Sequence, residues 1–189
     1  MKLIAIGCSW GGLAALSVLL DGLPRELDAA VVIAQHRAPD TSQLEHLLRG
    51  RSPLPVREVD DKDEIRSGTV FLAPPAYHLL VEQGRFALST EEPVQYARPS
   101  LDVLFETAAD AYGEDCIGVV LTGASADGAA GLQAICAAGG AAIVQEPESA
   151  ERAEMPAAAL EAAPSAQILP LAEIPHALAR LVADGAARA

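Results

Sequence analysis

The chain has 189 residues, 51% of them hydrophobic, and a formal charge of −13 from 13 basic and 26 acidic residues. That length suits one domain over residues 1–189 with a real core, and it is short for two. The acidity argues against nucleic-acid binding, which needs a basic footprint, and against a polybasic role at a membrane surface.

Residues 3–6 are a short apolar run ending in glycine, which predicts a buried strand followed by a turn and a helix over 13–20. Residues 29–34 predict a second buried strand, and 41–48 a helix capped by Thr41 or Asp40. Residues 53–90 are rich in Pro, Gly and charge. Strand-like pieces at 69–72, 78–81 and 85–88 suggest a small antiparallel hairpin region at about 68–88. Residues 100–111 have helical periodicity, with Ser100 as N-cap and Val103 at the capping-box position. Residues 116–121 form the clearest buried strand, followed by a helix over 129–137 closed by Gly139-Gly140. A strand at 141–144, a helix at 156–163 opened by Pro156, a short strand at 168–169 and an amphipathic helix at 171–182 complete the pattern. Residues 185–189 are expected to fray.

Strands alternating with helices predict an α/β fold with a mostly parallel, doubly wound sheet and helices on both faces. Cys8, Cys116 and Cys136 are odd in number and lack metal-ligand spacing, so no metal or other cofactor is expected. Cys116 and Cys136 lie in apolar runs and read as core thiols, which suits a reducing cytoplasm. Neither a signal-peptide pattern nor a run of about 20 apolar residues is present, so secretion and membrane insertion are not expected.

In open α/β sheets, functional groups collect at the carboxyl ends of the strands. The first strand is followed by Gly7-Cys8-Ser9-Trp10-Gly11-Gly12, the second by Gln35-His36-Arg37, and the strand at 116–121 by a loop containing Asp127. A serine, a histidine and an aspartate therefore arrive at one sheet edge. Gly7-Cys8-Ser9-Trp10-Gly11 has the G-x-S-x-G spacing of a nucleophile elbow, with the next helix N-terminus available to a developing oxyanion. In that reading Ser9 attacks, His36 takes its proton and Asp127 holds His36 in the correct tautomer. The order Ser, His, Asp differs from the usual α/β-hydrolase order and argues against an ordinary lipase fold.

Other readings compete. Residues 7–12 resemble a phosphate-binding turn but miss G-x-G-x-x-G, and Gln35-His36 stands where an acidic residue would be wanted. Thr122-Gly123-Ala124-Ser125 looks like a short-chain dehydrogenase opening, yet its later glycines are out of register and no Tyr-x-x-x-Lys pair follows. Ser9 and Asp127 also suit simple helix capping. Cys8 is an alternative nucleophile that strand alternation would turn away from Ser9. His46 and His176 read as solvent-facing.

The segments IAIGCSWGG (4–12), AQHRAP (34–39), APPAYH (73–78), RPSLDVLF (98–105), VLTGASADGAAG (120–131) and MPAAA (155–159) resemble, in order and spacing, the catalytic domain of CheB-type protein-glutamate methylesterases. The resemblance runs from about residue 3 to 179 and places the family's nucleophile, base and carboxylate on Ser9, His36 and Asp127. It implies hydrolysis of glutamyl γ-methyl esters on the cytoplasmic helices of methyl-accepting chemoreceptors, with glutamine deamidation as a side activity. It also directs attention to His78 and Arg98 near the cleft. Trp10 and Ala124 depart from the family pattern, which has a threonine and a methionine there. The backbone N–H at Ala124 is implied in the oxyanion hole. The family's receiver domain precedes the first catalytic strand, so control by phosphorylation in cis is not expected of residues 1–189. The departures leave an alternative, a catalytically altered module that binds receptor or signalling partners.

Overall fold

The structure, a computed structural model, describes residues 1–37 and 43–186. In chain order the strands are β1 (Lys2–Cys8), β2 (Ala29–Gln35), β3 (Val56–Glu58), β4 (Val70–Leu72), β5 (His78–Glu82), β6 (Arg85–Ser89), β7 (Cys116–Val120), β8 (Ala141–Gln145) and β9 (Gln167–Leu169). The helices are α1 (Gly12–Asp21), α2 (Leu44–Arg49), α3 (Leu101–Tyr112), α4 (Ala129–Ala137), α5 (Glu154–Ala162) and α6 (Ile174–Ala186). Asp40 and Thr41, the expected caps of the second helix, lie outside the described residues.

A seven-stranded parallel sheet runs in the order β3-β4-β2-β1-β7-β8-β9. β1 from Leu3 to Cys8 and β2 from Ala29 to Ala34 are apolar and buried because both faces are covered, as a parallel sheet requires. One face packs Ile4, Ile6, Val31 and Ile33 against Leu16 and Leu19 of α1 and Leu178 of α6. The other packs Leu3, Ala5, Val32 and Val120 against Leu104 and Phe105 of α3 and Leu132 of α4. From β1 the chain first builds outward through β2, then returns to place β7 on the other side. The carboxyl end of β1 is therefore the switch point, where such sheets leave a crevice.

Three boundaries differ from expectation. Residues 70–72 join the main sheet beside β2, and the antiparallel hairpin is confined to β5 and β6. Three-residue strands such as β3 and β4 carry too little pattern to reveal their partner, which nonlocal burial decides. α5 begins at Glu154, so Pro156 stands in the first turn, where a missing N–H costs nothing, rather than at its first position. The last helix begins after a 3-10 turn at Leu171–Glu173 and continues through Gly185, a residue expected to fray.

Candidate active site

The register places Ser9 and His36 side by side. Cys8 pairs with Gln35, and the His36 N–H donates to the Cys8 carbonyl at 3.1 Å, so the next residue on each chain leaves the sheet at the same level. On the other flank the Ser9 N–H donates to the Thr122 carbonyl at 3.0 Å, one step beyond β7. Gly11 follows with φ +77°, the left-handed conformation that turns the chain sharply into α1. The elbow is thus held by backbone bonds to both neighbouring strands.

Thr122, which in sequence only opens a dehydrogenase-like stretch, locks this turn. Its buried hydroxyl donates to the Trp10 carbonyl at 3.0 Å and accepts the Arg152 N–H at 2.9 Å, and its own N–H reaches Gln145 Oε1 at 2.9 Å. Gly123 comes so close that a Cβ there would stand 2.9 Å from Ser9 Cβ and 2.7 Å from Met155 Sδ. Among the described residues, neither the Trp10 N–H nor the Ala124 N–H has a hydrogen-bond partner.

Asp127 is completely buried at the N-terminus of α3. Its Oδ1 accepts the Ser100 hydroxyl at 2.8 Å and the Asp102 N–H at 3.0 Å. Its Oδ2 accepts the Leu101 N–H at 2.7 Å and His36 Nε2 at 2.7 Å. Burial pushes this carboxyl upward, but His36, the Asp102 and Leu101 N–H groups and Ser100 together hold it below the ordinary carboxylate value. His36 turns Nε2 toward Asp127, the reverse of the usual serine-protease triad, in which Nδ1 faces the carboxylate.

A second buried carboxylate backs the first. Asp102 Oδ1 accepts the Gly128 and Gly131 N–H groups at 2.9 and 2.8 Å, and Oδ2 accepts Gln95 Nε2 at 2.9 Å. Burial raises this carboxyl above its ordinary value, against the pull of the Gly131 N–H, and the neighbouring Asp127 charge pushes the same way. Asp102 and Ser100 act through tertiary contacts. Only the capping signal of Ser100 was visible beforehand.

His78 is buried away from solvent. Its Nδ1 accepts the Ser100 N–H at 3.2 Å and its Nε2 donates to the Glu92 carbonyl at 3.0 Å, so it supports the α3 cap one bond from Asp127. Arg98 lines a cleft of about 540 Å³ with His36, Arg37, Gln95, Tyr96 and Ser125. Its Nη1 donates to the Thr90 and Glu91 carbonyls, both at 2.9 Å. Trp10 is 61% exposed, with its indole N–H bonded to Glu151 Oε1 at 2.8 Å and the Arg152 guanidinium 5.7 Å from the ring centre. Ala124 is exposed on the loop after β7.

Cys8 is fully buried, and burial pushes its thiol far above the ordinary value, so it makes a poor nucleophile. Cys116 is likewise buried and pushed up to about 12, while Cys136 is only partly buried. His46 and His176 are exposed, as read from the sequence. Among the described residues no group of His, Cys, Asp and Glu side chains is placed to hold a metal ion. No described helix is long and apolar enough to cross a membrane.

Known proteins resemble this chain over nearly its whole length. A Leptospira interrogans protein, provisionally named protein-glutamate methylesterase/protein-glutamine glutaminase, is 43% identical over 180 residues, covering 94% of this chain and 93% of its own length. A Symbiobacterium thermophilum protein-glutamate methylesterase/protein-glutamine glutaminase is 38% identical over 186 residues, but this chain spans only 51% of it. The crystal structure of the Thermotoga maritima CheB methylesterase catalytic domain superposes with a TM-score of 0.91 at 32% identity, covering 95% of this chain and 98% of that one. The sequence profile of the CheB methylesterase family matches residues 4–178, and the chain belongs to that family.

Proposed function

We propose that the chain is a protein-glutamate methylesterase and protein-glutamine deamidase that works through Ser9, His36 and Asp127. The observation that carries this reading is the 2.7 Å contact between His36 and buried Asp127 at the strand ends flanking the Ser9 elbow. Ser9 Oγ attacks the γ-carbonyl carbon of a methylated glutamyl side chain while His36 Nδ1 takes its proton. The Trp10 and Ala124 N–H groups donate to the developing oxyanion. Collapse of the tetrahedral adduct expels methanol, which receives the proton from His36. Water, activated by the same imidazole, then releases the glutamate carboxylate. With a glutamine substrate the leaving group is ammonia. Asp127 stays ionised throughout and stabilises the imidazolium, a task suited to its lowered pKa.

The substrate proteins in this reading are the cytoplasmic helices of methyl-accepting receptors, and the cleft past Arg98 and Tyr96 is where such a segment would approach His36. Methanol release from methylated receptor should fall at least about 10^4-fold in Ser9→Ala. Equal rates in variant and wild type would overturn the proposal.

A further inference from the structure

Trp10, the residue after Ser9, carries a cation over its ring that the triad chemistry does not use. Much of the chain's positive charge is neutralised locally: Lys2 pairs with Asp115, Arg57 with Asp63 and Arg85 with Glu82. Arg152 makes no ion pair among the described residues. Its guanidinium rests over the exposed face of Trp10, the residue after Ser9, while Glu151 engages the indole N–H edge.

The backbone beneath this arginine is fixed at both ends. The Arg152 N–H donates to Thr122 Oγ1 at 2.9 Å, and the Arg152 carbonyl accepts the Gly123 N–H at 3.1 Å. These are the residues that hold the elbow. A guanidinium resting over a ring whose edge is hydrogen-bonded loses less freedom on binding an anion than a free side chain does. Its exposure also leaves its donors open to a carboxylate.

We propose that Arg152, presented by Trp10, is a carboxylate subsite that selects glutamyl esters lying beside an already acidic side chain. The inference rests on the esterase reading above and extends it to substrate choice. A chain of net charge −13 repels acidic partners at long range, so an open cation over the residue that follows Ser9 acts where screening leaves only local charge. Each ester hydrolysed leaves a new carboxylate, so a segment carrying several sites becomes a better substrate as it is processed.

Two helix-forming peptides, each with one glutamyl γ-methyl ester, test this. One carries glutamates three and four residues on either side of the ester, and the other carries glutamines there. At low ionic strength the wild type should favour the glutamate peptide in kcat/KM by roughly two- to fivefold, as suits an exposed ion pair, and salt should shrink the ratio. The ratio should collapse in Arg152→Gln, invert in Arg152→Glu and be partly restored in Arg152→Lys. A merely structural role would lower both rates together and leave the ratio unchanged. Equal turnover of the two peptides by the wild type, or a preference that survives Arg152→Gln, overturns the subsite alone. Failure of the wild type to release methanol from either peptide or from methylated receptor overturns the esterase reading and this inference with it.

Discussion

The two halves of the site are built by different means. Around His36 and Asp127 the side chains do the holding: a buried carboxylate takes four hydrogen bonds, three of them from the first residues of α3 and its cap. Around Ser9 the backbone does most of it, through the Ser9 bond to the Thr122 carbonyl, the His36 bond to the Cys8 carbonyl and the close approach of Gly123, with the Thr122 hydroxyl on the Trp10 carbonyl. The first half is sensitive to loss of charge and the second to gain of volume. The distinction matters because a carboxylate at a helix N-terminus is stabilised by donors that exist only when the helix is docked, whereas an elbow depends on the room its neighbours leave.

Removing the Asp127 charge tests the first half hardest. Asp127→Asn turns an amide N–H₂ toward groups that are themselves donors. Activity on methylated receptor should fall about 10^3- to 10^4-fold, and stability by roughly 2–4 kcal/mol in denaturant titration. A loss of activity under tenfold would mean that His36 does not depend on this carboxylate.

The second half breaks under a single methyl group. In Gly123→Ala the new Cβ would press on Ser9 Cβ and the Met155 thioether. Met155 can shift and Ser9 cannot, so the rate should drop about 10- to 100-fold with a stability cost of about 1–3 kcal/mol. If labelling of Ser9 by a fluorophosphonate proceeds at the wild-type rate, the close approach has no part in positioning the serine.

A smaller effect separates the two carboxylates within the first half. The Asp127 pKa lies below its unfolded value, so its stabilising contribution is full above that value, about 3.9, and is lost as the pH falls through the lower folded one. The Asp102 pKa is raised, so it costs stability at neutral pH and that cost is relieved as the pH falls through its folded value. Melting temperature against pH should therefore fall less steeply below about pH 4 in Asp127→Asn, and rise less on mild acidification in Asp102→Asn. Curves parallel to wild type in both variants would contradict the opposite shifts.

Much of this was legible in the chain itself. Apolar runs closed by glycine marked the long strands, and the residues after β1, β2 and β7 nominated Ser9, His36 and Asp127, because strand ends are where an open parallel sheet leaves polar groups. What lay hidden was whatever depends on partners distant in sequence. β3 and β4 are too short to show their pairing, and nothing in the local pattern around Asp102 shows that Gly128 and Gly131 are packed against it. His78 suits a cleft or a structural role equally in sequence, and only the structure shows Ser100 and Glu92 claiming both its nitrogens.

The sequence by itself determined the alternation of elements, the elbow at Ser9 and the identity of the groups delivered to one sheet edge, since all of these follow from local pattern and chain direction. Only the tertiary structure decided which His36 nitrogen faces Asp127, how α3 cradles that carboxylate, and that Arg152 lies over Trp10, because each depends on side chains meeting across elements that local pattern does not bring together.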